Sequence, residues 1–345
     1  MSGKGRSFLR FFGLFLWRLS LPAAVLIAGM AFAGFAYVKQ LGDQPGKLAE
    51  PTLIIVKPGD GDMAIGWTLW RAGLISDRRH YDYYRWYQKT PFYNGPEFQP
   101  KIGEYQLMPE ASLQQTLAQI STGRSYQRRL TILEGWRSQD VIAALNEAPM
   151  LQGFITRIPP EGSLFPDTYF YSYGMSRADL VQKMTAKMEM QSALIWAERA
   201  DDLPLQSRDE LIILASMIEK ETGKAGERGL VASVFENRLR QKMRLQSDPT
   251  VAYGLAGDGP LPSRLTRRDL KKQHGWNTYR IKGLPKTPIA NPGLAALQAA
   301  ANPQASDYLY FVADGQGGHF FAKTLDAHNR NVQKYRKTEA YKAQQ

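Results

Sequence analysis

Apolar positions along the 345-residue chain form one long unbroken block and a series of shorter, periodic ones. The block is Leu19–Val38, LSLPAAVLIAGMAFAGFAYV, uncharged and closed by Lys39. As a helix it would span about 30 Å, the thickness of a bilayer core. Lys4, Arg6, Arg10 and Arg18 precede it without an acid. That bias predicts residues 1–18 as a cytoplasmic tail and everything after Lys39 outside. Ala31-Phe32-Ala33 mimics a signal-peptide cleavage site, but the apolar run is longer than a signal core and continues past it. A retained single span over 19–38 is therefore expected.

Residues 39–51 read as a polar linker with Pro and Gly. Leu53–Val56 is β-branched, residues 57–62 make a Pro/Gly/Asp turn, and residues 63–72 carry helical spacing at Ile65, Leu69 and Ala72. This strand, turn and helix resemble the opening of a LysM module, a small βααβ unit that binds N-acetylglucosamine polymers; an unrelated small α+β unit is the alternative. Residues 77–88 predict a helix crowded with His80, Tyr81, Tyr83, Tyr84, Trp86 and Tyr87, rings better suited to packing than to sugar stacking. Strands are expected over 101–108 and 128–133, and helices over 112–121 and from an N-capping Ser138. The Pro-, Gly- and aromatic-rich residues 159–173 read as a structured connection, with a domain boundary near 160. The fold class expected is α+β: a transmembrane helix, a LysM-like domain over 52–159, and a mainly helical catalytic domain over 160–336. That last domain carries a small β-hairpin across Asp314–Gly318, and residues 337–345 form a polar tail.

The helix after Pro204 has a different pattern. Ser207 and Glu210 make a capping box, and residues 211–218 are apolar except for Ser216. Such a helix is buried on most of its circumference. Two acids, Glu219 and Glu221, then precede Gly223, a natural helix stop. The macrodipole and apolar surroundings both disfavour a carboxylate there, so both raise its pKa. A carboxyl kept protonated near neutrality can act as a general acid. Residues two apart on a helix diverge by about 200°, so the two acids cannot face one cleft. Periodicity does not choose between them, and a Glu paired with Lys220 or Lys224 is the plain structural alternative. Residues 227–242 predict another helix, and Asp248-Pro249 reads as N-cap and first residue of the next. Gln246, Ser247 and Asp248 then lie on a loop that a substrate could meet.

Composition narrows the chemistry. The chain has no cysteine, which excludes disulfides and thiol catalysis, and its four histidines form no HExxH motif or close carboxylate cluster. Neither a metal nor a cofactor is expected. The net charge of +12 suits an anionic lipid or polymer, and no nucleic-acid motif accompanies the basic runs.

The segments LASMIEKET, VASVFENRLR, MRLQSDPTVAYGL, WNTYRIKGLPKTPIANPGLAALQAAANP and YLYFVADGQGGHFFAKTLDAHN, with PEGSLFPDTY before them, closely resemble the endolytic murein transglycosylases, the MltG or YceG-like family. The resemblance implies that Glu219 is the essential acid/base and leaves Glu221 a supporting residue. It also implies a cleft lined by Gln246, Ser247, Asp248, Thr250, Tyr253, Asn277, Thr278, Tyr279 and the Gly283-Leu284-Pro285 loop. The implied reaction cuts the bond between N-acetylmuramic acid and N-acetylglucosamine in nascent peptidoglycan, leaving 1,6-anhydro ends and terminating glycan elongation. Implied partners are glycan strands and peptidoglycan synthases at the bacterial inner membrane, with the catalytic domain periplasmic. An inert glycan-binding scaffold and a hydrolytic muramidase are the alternatives.

Overall fold

The computed structural model describes the backbone of residues 4–338 and the side chains of residues 21–338. Of the expected tails, residues 1–3 and 339–345 lie outside the described residues. The protein is α+β and divides into two compact units. One holds the chain up to Gln127 together with Ser172–Gly174; the other holds Arg128–Tyr171 and the chain from Met175 onward.

The first unit begins with α1 (Lys4–Asp43), a single helix that runs through the expected cytoplasmic tail, span and first linker residues. Its stretch Leu21–Asp43 is long and apolar enough to cross a membrane, with a mean hydropathy of 2.0. β1 (Thr52–Val56), α2 (Asp62–Arg71), α3 (Arg78–Gln88), β2 (Gly103–Leu107) and α4 (Leu113–Thr122) come next. β1 and β2 pair antiparallel with Ile54 opposite Tyr105, burying one face of each strand. Ser112 and Gln115 cap α4 reciprocally, leaving Leu113, Leu117 and Ile120 on its buried face. The tyrosines of α3 divide by helical spacing: Tyr81, Tyr84 and Tyr87 are buried, while Tyr83 and Trp86 face outward. The last turns of α1 lie against α3. A Cβ at Gly42 would run into the Tyr84 ring, so glycine permits the close approach there. Seven residues earlier, Phe35 stacks on Trp86 at 5.5 Å between centroids and meets Phe92 edge-on at 5.1 Å.

The second unit opens with β3 (Arg128–Thr131), α5 (Ser138–Glu147) and β4 (Thr168–Tyr171). β3 and β4 pair antiparallel with Leu130 opposite Tyr169. Residues 128–159 thus fold with the C-terminal part of the chain rather than with the preceding unit, and the division falls at 127/128 instead of near 160. β4 itself lies inside the segment read as a connection. Ser138 is the first helical residue of α5, not its cap; the cap is Arg137, and the Ser138 amide donates to Glu161 at 2.8 Å.

Helices α6 (Arg177–Ala197), α7 (Arg208–Glu221), α8 (Arg228–Arg240), α9 (Asp248–Ala256) and α10 (Leu294–Ala301) build the main core. The hairpin β5 (Tyr310–Ala313) and β6 (His319–Ala322) and then α11 (Leu325–Arg336) close the unit. α7 is its axis, with Leu211, Leu214, Ala215, Met217 and Ile218 all fully buried. Each large side chain buried there contributes about 1.5–3 kcal/mol. Half of the expected capping box is present: Ser207 Oγ accepts from the Glu210 amide, while Glu210 accepts from Gln206 rather than Ser207.

Candidate active site

The two acids at the end of α7 point to opposite sides, as a 200° separation requires. Glu219 faces two segments distant in sequence, around Glu134 and Gly293, and the start of the next helix at Arg228. Its Oε2 accepts from the Gly293 amide at 2.8 Å, and its Oε1 lies 3.7 Å from the Arg228 guanidinium. Arg228 reaches Glu134 Oε2 at 3.9 Å with the same nitrogen, so one cation serves two carboxylates. Glu134 packs over Gly293 so closely that a Cβ there would run into its carboxylate. Only 6% of the Glu219 side chain is exposed, against 46% for Glu134.

Local backbone pairing holds this arrangement. The Gly135 amide donates to Asn291 O and the Asn291 amide to Trp136 O, both at 2.9 Å. Ser216 Oγ, one turn before Glu219 on α7, accepts from the Ile289 amide at 3.0 Å. The Asn291 side chain accepts from Leu164 N and donates to Trp136 O, so it braces the segment rather than starting α10, whose cap is Gly293.

Burial raises the Glu219 pKa above the ordinary glutamate value. The Gly293 amide opposes that shift, the nearby Glu134 charge adds to it, and Arg228 opposes it again; the result is a raised pKa. The amide comes from the N-terminal end of α10, which favours an anion. Glu219 is therefore disfavoured by the end of its own helix and favoured by the start of another. Its cation is Arg228, not Lys220 or Lys224. Lys220 turns instead to the Gly135 carbonyl at 3.3 Å.

Most of the polar loop residues expected to line the cleft gather around Glu221. Ser247 Oγ donates to Glu221 Oε1 at 2.5 Å. Burial lifts the Glu221 pKa to about 7, helped by the Asp248 charge and opposed by the Ser247 hydroxyl and Arg238. Ser247, Thr250, Asn277 and Thr278 are fully buried, and their side chains are engaged internally. Thr278 Oγ1 accepts from the Ser247 amide at 2.9 Å and meets Thr250 Oγ1 at 2.9 Å. Asn277 donates to Leu270 O and Lys272 O and accepts from the Tyr279 amide.

Gln246, Asp248 and Tyr279 lie at the edge of this network. Asp248 is the first residue of α9 rather than its cap, which is Ser247; its carboxylate accepts from the Tyr279 hydroxyl at 2.6 Å. Gln246 adopts a left-handed φ of 52°. Arg238 supports that turn by donating to Leu245 O at 2.8 Å, and the Gln246 amide donates to Thr278 O at 3.2 Å.

Tyr253 borders three grooves, of which the two larger matter here. One, of 400 Å³, runs past Lys220, Asp248, Leu261 and Arg264. The other, of 560 Å³, is lined by Glu161, Trp276, Lys286 and Pro288 among others. Tyr253 and Trp276 meet edge-on at 5.8 Å, and the Glu161 pKa is raised by burial against opposing bonds from Ser138 and Tyr253. Glu219 lines neither groove, although Lys220 beside it lines the first. Glu134 and Arg228 are charged neighbours of Glu219 that no pattern in the sequence singled out, and Glu161 lies within the PEGSLFPDTY segment, in which no site residue was expected.

The YceG-like family model matches residues 54–334. An endolytic murein transglycosylase of Bacillus subtilis is 30% identical over 343 residues, covering 90% of this chain and 91% of its own. A Streptococcus pneumoniae protein of the same name is 26% identical over 323 residues, covering 80% of this chain and 57% of its own. The crystal structure of a YceG-like protein from Listeria monocytogenes shares 27% identity at a TM-score of 0.52, covering 81% of this chain and 98% of that one. With a buried acid at the end of α7 and matches over nearly its whole length, the chain belongs to the YceG-like family.

Proposed function

We propose that this protein is an endolytic transglycosylase of peptidoglycan in which Glu219 is the acid and then the base. The observation that carries this reading is the enclosure of Glu219, a buried carboxyl with a raised pKa, in a chain whose relatives bear that name. Protonated Glu219 donates to the oxygen linking N-acetylmuramic acid to N-acetylglucosamine, and the glycosidic bond breaks. The carboxylate so formed takes the proton of the muramic acid C6 hydroxyl, whose oxygen bonds to the anomeric carbon. The products are a 1,6-anhydro end and a free N-acetylglucosamine hydroxyl; no water is consumed. A single acid/base suffices because the nucleophile belongs to the substrate, unlike the two-carboxylate plan of hydrolases. Gln246, Asp248, Tyr253 and Tyr279 offer polar and aromatic edges to the glycan, while Ser247, Thr250 and Asn277 hold those edges in place. Glu221 acts through the same network.

The carboxylate of Glu134 beside Glu219 favours one second reading, a hydrolytic muramidase. Product analysis separates them. Mass spectrometry of digested, purified glycan strands is expected to show anhydro-muropeptide ends; reducing ends would establish hydrolysis. Glu219→Gln should lose about 10²–10⁴-fold in rate while keeping its thermal midpoint. Full activity in that variant overturns the assignment.

The coarser architecture fits the same reading. The order β1, α2, α3, β2 is that of a LysM-like βααβ unit. Leu21–Asp43 serves as a single-pass anchor, and the basic N-terminal flank puts that end in the cytoplasm and the catalytic unit outside the inner membrane. There the enzyme meets nascent strands beside peptidoglycan synthases and ends their elongation.

A further inference from the structure

α3 runs antiparallel to the end of α1: its Tyr84 meets Gly42, and its later residues Trp86 and Tyr87 meet Phe35. From Gly42 to Phe35 the α1 axis descends about 10 Å. The charges bounding the apolar block are Arg18 and Lys39, separated by about 30 Å of helix, one hydrocarbon thickness. Phe35 stands four residues inside Lys39, about 6 Å below the plane where that ammonium marks the bilayer surface. Whatever packs on Phe35 shares its depth.

The groups that pack there are large and uncovered. Trp86 is 55% exposed and Phe92 68% exposed, although both touch Phe35. Outward along α3, Arg79, Tyr83 and Trp86 succeed one another at helical spacing, passing from charged through amphipathic to aromatic toward the bilayer. Lys89 follows Trp86 by three residues at the C-cap of α3, with its side chain 69% exposed and Asp62 only at 3.9 Å, so its long stem can return the ammonium to the headgroups while the rings beside it stay in the interface. Polarity that grades in this order, with Trp and Tyr at the headgroup level, matches a membrane–water interface.

We propose that the C-terminal end of α3 and the turn after it, carrying Trp86 and Phe92, sit in the outer interface of the membrane that α1 crosses. The occupant of this face is lipid. The proposal rests on the anchor reading and is independent of the reaction at Glu219. The unit is thereby held to the bilayer by a helix and an aromatic foot together.

Because the chain has no cysteine, single-cysteine variants can carry a nitroxide label without further changes. The full-length protein is reconstituted in vesicles of phosphatidylethanolamine and phosphatidylglycerol, and collision rates with oxygen and with a water-soluble nickel chelate are compared. F92C and W86C are expected to favour oxygen severalfold over R124C, a polar surface position of the same unit, and to approach A33C in the span. If both read like R124C, the aromatic foot is in water and the proposal is overturned. If A33C also reads like R124C, the anchor and the proposal fall together. Neither outcome alters the products made at Glu219, so the enzymatic reading stands or falls on its own test.

Discussion

Glu134 and Glu219 lie on either side of Gly293 and share the guanidinium of Arg228. A second carboxylate beside a buried acid disfavours its ionisation, and a shared cation limits that effect. In the proposed reaction Glu219 must carry its proton at the first step, so its pKa sets the basic limb of the activity profile. Removing the Glu134 charge lowers that pKa, and removing Arg228 raises it. E134Q is expected to move the basic limb to lower pH and R228Q to higher pH, each by about one unit or less. The check is the rate of anhydro-end release across pH. Shifts in the same direction, or none, contradict this electrostatic arrangement.

Gly293 can be tested separately. Its φ of −80° and ψ of 175° suit any residue, so alanine is not strained by the backbone. The added methyl group must instead displace the flexible Glu134 carboxylate. G293A is expected to fold with a stability change of about 1 kcal/mol or less and to shift the pH profile as E134Q does. In a double-mutant cycle the two changes should not add.

Thr278 joins the Ser247 amide to the Thr250 hydroxyl inside the unit. Valine has its shape but leaves the buried Ser247 amide without its acceptor, at a cost of about 1–3 kcal/mol, while the Thr250 hydroxyl keeps its bond to Ser247 O at 2.7 Å. T278V should lower the urea midpoint clearly, and T278S should restore much of the loss. Equal midpoints for T278V and the native protein would remove Thr278 from the support of this loop.

Buried acids also tie stability to pH. Burial raises Glu221 from 4.5 to about 7 and Glu236 from 4.5 to about 8. Between the unfolded and folded values the native state holds protons that the unfolded chain has released. Stability is thus highest below about pH 4.5 on account of these groups and declines as pH rises toward 7 and 8. Urea unfolding from pH 5 to 8.5 should show this decline, and E221Q and E236Q should each flatten it. A slope unchanged in both variants would refute the assignment.

The features legible in the sequence were local ones. The apolar face of α7 and its terminal acids follow from helical spacing, and the tyrosines of α3 sort into buried and exposed by the same period. β4 was hidden because four residues between prolines and glycines carry too little pattern, and its partner β3 lies a helix and a loop away. Asp248 looked like a cap because Asp-Pro begins helices; the chain turns one residue earlier, at Ser247, and frees the carboxylate for Tyr279. Glu134 sits in a Glu-Gly turn that any surface could carry. Its place beside Glu219 depends on the backbone pairing of Gly135 and Trp136 with Asn291, a tertiary contact with no local periodicity. The resemblance to a family singled out Glu219, but the groups that tune it became visible only in three dimensions.

The amide that touches Glu219 belongs to Gly293, 74 residues further along the chain. A polypeptide is made from its N-terminus, so Glu219 exists well before the segment that encloses it. Until residues 289–293 dock on Ser216 and Trp136, its carboxylate lacks the Gly293 amide that it meets in the folded protein. In the proposed reaction the power to cut glycan is therefore conferred late in biosynthesis, and a chain interrupted before α10 would carry Glu219 without the amide that meets its carboxylate.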